Sequence, residues 1–128
     1  MGDYKITELN ELANKHNLYF YASLISAAII LALSVVPEFA GGINSGVTAH
    51  GSAYFIFSFT TALYFRSNGH KTPLLKGALL AGLYGAFIEL VQFFIPYRNF
   101  DLLDILVNFS SALIAVFPNF VLIRSKWI

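Results

Sequence analysis

Four long apolar runs limit what this chain can become. Residues 18–36 contain no charge, and residues 47–65 carry a single histidine. Residues 74–96 hold Lys76 near their start and Glu89 near their end; residues 102–123 hold Asp104 near their start. A helix crossing a bilayer needs about 20 mostly apolar residues. Each run has that length. The runs are too long for strands and lack period-2 alternation. Turn chemistry separates them: Pro37 with Gly41, Gly42 and Gly46, then Ser67-Asn68-Gly69, then Pro96-Tyr97-Arg98-Asn99. The expectation is an all-α integral membrane protein, a four-transmembrane-helix bundle filling one domain over residues 1–128.

Composition agrees. Only 12% of the 128 residues are charged, against about 25% in soluble domains, and mean hydropathy is +0.67. A net charge of +1 leaves no footprint for nucleic acid. The absence of cysteine removes disulfides, zinc–thiolate sites and thiol nucleophiles. Residues 3–17 place Asp3, Lys5, Glu8, Glu11 and Lys15 among Ile6, Leu9, Leu12 and Ala13 at helical spacing. That pattern predicts a short amphipathic helix on the membrane surface rather than a secretory signal peptide. Small residues recur every fourth position at Ala22/Ser26, Gly77/Ala81/Gly85, Gly82/Ala86 and Ser111/Ala115, as packing surface between helices. Pro118 should kink the fourth run.

Orientation follows from the cations. Lys5, Lys15, Arg66, Lys71, Lys76, Arg124 and Lys126 fall on one side, and Arg98 alone on the other. The excess marks the cytoplasmic side, so both termini are expected there, in a bacterial cytoplasmic membrane. Tyr97 and Trp127 suit the two interfaces.

The unusual polar residues gather at the opposite, outer end. The segment 89–108 reads ELVQFFIPYRNFDLLDILVN. Glu89 and Gln92 share one helix face; Asp101, Asp104 and Asn108 share another. Two helices joined by a short turn run antiparallel, which brings the two polar stripes together. At about 1.5 Å per residue, His50 lies ~5 Å below the outer boundary, and Tyr54 and Glu89 ~10 Å. Ser34 is at similar depth. An acid at that depth costs several kcal/mol if it faces lipid, so Glu89 is expected to face inward and to mark function. Asp101 also reads as a helix N-cap. Gln92 and Asn108 also read as interhelical hydrogen-bonding residues. The candidate catalytic residues are His50, Glu89 and Asp104: a buried acid or base, its proton partner and a second carboxylate. The candidate ligand-binding residues are Tyr54, Gln92, Arg98, Asp101 and Asn108. Arg98 supplies a fork for an anionic group, and Tyr54 and Asn108 are expected to fix Glu89 by hydrogen bonds. Asp101 and Asp104 either orient Arg98 and His50 or hold a divalent ion. No metal ligand set is assigned, and no cofactor is specified.

These residues resemble a known family. Glu89-x-x-Gln92, then Pro96-x-Arg98-x-x-Asp101-x-x-Asp104-x-x-x-Asn108, preceded by His50-x-x-x-Tyr54, is similar to the VanZ-like family of small bacterial membrane proteins over roughly residues 30–116. The sequence departs from the family pattern where Gly46 and Val47 stand in place of an Asp-Lys pair. It departs again where Ser111 and Ala115 replace residues that are often glycine. The first departure removes an acid and a base from the outer rim. The resemblance implies a four-helix membrane protein, and the family's namesake is associated with resistance to the glycopeptide teicoplanin. It brings no established reaction.

Three functions compete: an enzyme acting on a lipid or lipid-linked cell-envelope molecule, a non-catalytic binder of a headgroup or glycopeptide, and a structural subunit of a membrane complex. Membrane lipids are the expected partners, with a lipid-linked cell-wall precursor or glycopeptide as ligand. The oligomeric state is left open. The cation split generates a direct test of topology. Cysteine introduced at position 99 should label from outside intact cells and cysteine at position 68 should not; the reverse pattern overturns the orientation.

Overall fold

The computed structural model describes residues 2–36, 43–97 and 101–125, and for residues 43–47 the backbone alone. The described residues form five helices and no strand. They are α1 (Gly2–Val35), α2 (Ile43–Ser67), α3 (Pro73–Phe93), α4 (Leu102–Ile114) and α5 (Val116–Arg124).

The separate surface helix expected at residues 3–17 does not exist as its own element. α1 runs unbroken for 34 residues. No proline or glycine lies between Gly2 and Val35 to stop it, and each residue added to an existing helix gains a hydrogen bond without a new nucleation cost. At about 1.5 Å per residue α1 is ~51 Å long, well beyond a hydrocarbon core of about 30 Å. Residues 2–15 are all exposed. The polar character changes along α1; the backbone does not.

Local chemistry explains the other boundaries. α2 ends in a Schellman turn: Gly69 has φ of 74°, its N–H donates to the Arg66 carbonyl at 2.9 Å, and the His70 N–H donates to the Phe65 carbonyl at 3.1 Å. Pro73 opens α3, where a missing N–H costs nothing. Asp101 caps α4 by accepting the Leu103 N–H at 2.8 Å. The break between α4 and α5 falls at Ala115, three residues before Pro118. Proline there removes one helical hydrogen bond and crowds the carbonyl of Ile114, which accounts for the expected kink.

Packing turns a soluble protein inside out. The buried stripe of α1 is Ser23, Ser26, Ile30 and Ser34. Each of these serines donates to its own helix, to the carbonyls of Tyr19, Ala22 and Ile30 respectively. The stripe is thereby both small and satisfied. α3 buries Gly77, Ala81, Gly82 and Gly85 and exposes Leu79, Leu83, Phe87, Leu90 and Phe93. A Cβ on Gly77 would meet the Ala62 backbone nitrogen and the Ser58 carbonyl, both at 2.9 Å. α2 and α3 therefore touch backbone to backbone, as small residues allow in lipid. The Phe109 ring fills the space above Gly82. α2 packs against α1, α3 and α4, and α3 also packs against α4.

Three helical stretches are long and apolar enough to cross a membrane: Gly2–Val35, Pro73–Phe93, and Leu102–Arg124, which joins α4 and α5. α2 has the length but is less apolar, because Thr48, His50, Ser52, Ser58, Thr60 and Thr61 interrupt it. Several of these polar groups are spent inside the protein. Ser58 Oγ donates to the Ala112 carbonyl at 2.9 Å, and Thr61 Oγ1 to the Phe57 carbonyl at 2.6 Å.

Gly77→Ala should lower the stability of the detergent-solubilised protein by about 1–3 kcal/mol, because the new methyl meets backbone that cannot rotate away. Thermal unfolding measures it; an unchanged midpoint would mean α2 and α3 do not approach this closely.

Candidate functional site

The C-terminal ends of α1 and α3 and the N-terminal ends of α2 and α4 meet at one end of the molecule. Gln92 Nε2 donates to the Ser34 carbonyl at 3.1 Å, and the Tyr97 hydroxyl to the Val35 carbonyl at 2.6 Å. These two bonds tie the end of α1 to the end of α3 and its following turn.

Beneath them lies a buried polar group of three residues. Tyr54 is 0% exposed, Glu89 1% and Asn108 1%. Gly85 makes room for the group. A Cβ there would stand 3.1 Å from Asn108 Cβ, 3.1 Å from Tyr54 Cε1 and 3.3 Å from Asn108 Nδ2. Gly85 and Glu89 are one helical turn apart on the same face of α3. The antiparallel α3–α4 pairing thus sets Asn108 against Gly85, one turn from Glu89 along the same face of α3. The His50 ring stacks on the Tyr54 ring, with centroids 6.5 Å apart and planes at 15°.

The hydrogen bonds expected from Tyr54 and Asn108 to Glu89 are not formed. Among the described residues, the Tyr54 hydroxyl and both polar atoms of the Asn108 amide have no hydrogen-bond partner. The close packing of Gly85 against both side chains fixes where those atoms lie. Buried polar groups are nearly always partnered, so two such side chains packed around Gly85 demand an explanation.

The other candidates divide. His50 and Asp104 are half-buried, each one helical turn nearer this end than Tyr54 and Asn108 respectively. Asp101 is exposed and acts as the α4 cap. Gln92 is buried and already committed to the Ser34 carbonyl. Arg98 lies outside the described residues. Among the described residues, no three His, Cys, Asp or Glu side chains gather closely enough to hold a metal ion.

Three contributors were not singled out in the sequence. Gly85 was read only as packing surface, yet it makes the room that Tyr54 and Asn108 occupy. The Tyr84 hydroxyl donates to the Ala27 carbonyl at 2.9 Å, and its ring meets Phe57 at 5.3 Å. Asn119 is fully buried, with Nδ2 donating to the Phe59 carbonyl at 3.3 Å. Asn119 continues the stripe of Asn108, Ala112 and Ala115, a periodicity that could have revealed it.

The family model for VanZ/LLP1 matches residues 6–123, nearly the whole chain. The chain belongs to the VanZ/LLP1 family. No curated protein and no solved structure matches it. With the family match, the spanning-length helices and the exposed apolar side chains, it is an integral membrane protein. Every candidate residue of this VanZ/LLP1 protein falls within the matched range.

Tyr54→Phe removes the unpartnered hydroxyl and keeps the ring. Without ligand, stability should hold or rise by about 1–3 kcal/mol, the cost of an unsatisfied buried group. Thermal unfolding in detergent reads this; a clear loss would mean the hydroxyl is bonded within the protein.

Proposed function

We propose that this VanZ/LLP1 protein crosses the bacterial cytoplasmic membrane four times, with both termini in the cytoplasm, and holds a lipid or lipid-linked cell-envelope molecule in a polar pocket at its outer end. α2 is the fourth span, shielded from lipid along much of its polar surface by α1, α3 and α4. One observation carries the reading: the Tyr54 hydroxyl and the Asn108 amide, buried side by side and without partners among the described residues, on the inward face shared with Glu89. Such groups are what a ligand with hydroxyls, amides or phosphate oxygens satisfies on binding. His50 and Asp104 stand between that core and the outer end. Arg98 guides an anionic headgroup in from the rim.

Two versions of this function differ in chemistry. In the first, Glu89 and His50 move a proton during modification of the bound molecule, with Asp104 orienting His50. In the second, the protein binds a headgroup or glycopeptide without turnover, as a teicoplanin-resistance protein could. Gly46 and Val47 favour the second, since they remove an acid and a base from the rim.

Purified protein assayed against lipid phosphates, lipid-linked cell-wall precursors and teicoplanin separates them. Turnover lost in Glu89→Gln and His50→Ala supports chemistry. Stoichiometric binding without turnover, weakened at least about ten-fold by Arg98→Ala (about 1.4 kcal/mol), supports the binder. If all three variants fold and behave as the parent does, the polar group is structural and the proposal fails.

A further inference from the structure

The end of the molecule opposite the polar pocket carries a groove between the α2–α3 turn and α5. Its volume is about 460 Å³, and its lining combines the polar Arg66, His70 and Lys71 with the apolar Leu75, Phe120 and Ile123. Leu75 and Phe120 expose about half of their surface, at 57% and 47%. Lys76 and Arg124 flank it. Lys76 Nζ lies 2.6 Å from His70 Nδ1 and 5.9 Å from the Phe65 ring centroid; the Arg124 guanidinium lies 5.9 Å from the Phe120 ring centroid. Among the described residues, none that lines the groove is acidic. The acids of the described residues lie elsewhere: Asp3, Glu8 and Glu11 on the projecting part of α1, and Glu89, Asp101 and Asp104 at the other end. Thr72, the N-cap of α3, also lines the groove and makes no side-chain cap. The positive end of the α3 dipole therefore adds to the same field.

We propose that this groove is a binding site for an anionic phospholipid, with the phosphodiester and acidic headgroup at Arg66 and Lys71 and an acyl chain along Leu75, Phe120 and Ile123. Cations above an apolar floor, where helices meet the membrane interface, match an amphiphile with a negative head. A free phosphate would use the rim and leave the floor uncovered. A zwitterionic lipid would cover the floor and bring a second cation to a positive rim. Net negative charge and a hydrocarbon tail are required together. The site is on the side that the cation excess marks as cytoplasmic, and it stands apart from the outer pocket and its ligand.

The test uses the full chain in detergent. Thermal unfolding and native mass spectrometry are followed as phosphatidylglycerol, phosphatidylcholine or glycerol phosphate is added. Phosphatidylglycerol should raise the unfolding midpoint and remain bound, more weakly at high salt; the other two should do neither. Lys71→Gln lies in an exposed turn and should weaken phosphatidylglycerol binding about five-fold, with Lys71→Arg restoring it. Lys5→Gln, remote on α1, should change nothing. Equal effects of phosphatidylcholine, equal effects of glycerol phosphate, or full binding by Lys71→Gln would each overturn the proposal. Helical circular dichroism confirms that the variants fold. Loss of this binding leaves the outer pocket's ligand assays untouched, so the two readings fail separately.

Discussion

Hydrogen bonds from side chains to the backbone of a neighbouring helix hold this structure together. In a bilayer the hydrophobic effect does not press helices against one another, because lipid tails are as apolar as leucine. Association has to come from close packing and from polar groups with nowhere else to go. Ser58 reaches the Ala112 carbonyl, Tyr84 that of Ala27, Gln92 that of Ser34 and Asn119 that of Phe59. These bonds link α2 to α4 and α5, and α3 to α1. Each requires the helices to lie close, and the small residues supply that closeness at Gly77 and Gly85. The polar content of α2 becomes intelligible in this light. It lacks the long apolar stretch found in α1 and α3, and it is also the most surrounded helix.

The polar group at Tyr54 and Asn108 stands out against that background. Elsewhere in the interior, hydroxyls and amides find carbonyls, on their own helix or on the next. Asn119 leaves only its Oδ1 unpartnered while its Nδ2 is bonded. At Tyr54 and Asn108 the packing is equally tight, yet three polar atoms go unmatched among the described residues. An apolar pair would fill the same space at lower cost. Two polar side chains placed together beside a buried carboxyl are costly to folding and suited to recognition.

Much of the architecture was written in local patterns. The apolar runs, the Ser-Asn-Gly turn and the Asp101 cap follow from backbone chemistry that acts within a few residues. So does the break before Pro118. The inward direction of Glu89 followed from the cost of an acid in lipid, whereas the residue packed against Asn108 is Gly85, one turn before Glu89. The continuity of α1 was not legible, since a change from polar to apolar residues resembles a boundary when no breaker is present to make one. The unformed bonds of Tyr54 and Asn108 were beyond the sequence for another reason. Helical spacing gives a face and a depth, but a hydrogen bond depends on tenths of an ångström. The cross-helix roles of Ser58, Tyr84 and Asn119 depend likewise on contacts between distant segments. Arg98 lies outside the described residues, so its expected place at the rim rests on the sequence alone.

The two ends of the molecule carry opposite chemistry, and this bears on how it sits in a membrane. Glu89, Asp101 and Asp104 lie at one end; Arg66, Lys71, Lys76 and Arg124 lie at the other. In the proposed orientation the cations face the leaflet richer in anionic lipid, and inverting the protein would forgo about 1 kcal/mol for each cation near the surface. Orientation then decides what each end can meet. In the proposed orientation the basic groove would face the cytoplasmic leaflet, where anionic lipid is concentrated. In the same proposal the buried polar group of Tyr54, Glu89 and Asn108 lies toward the outer leaflet, where a cell-envelope ligand would be met. On that proposal, the charge asymmetry that would direct insertion would also sort the ligands available to each end.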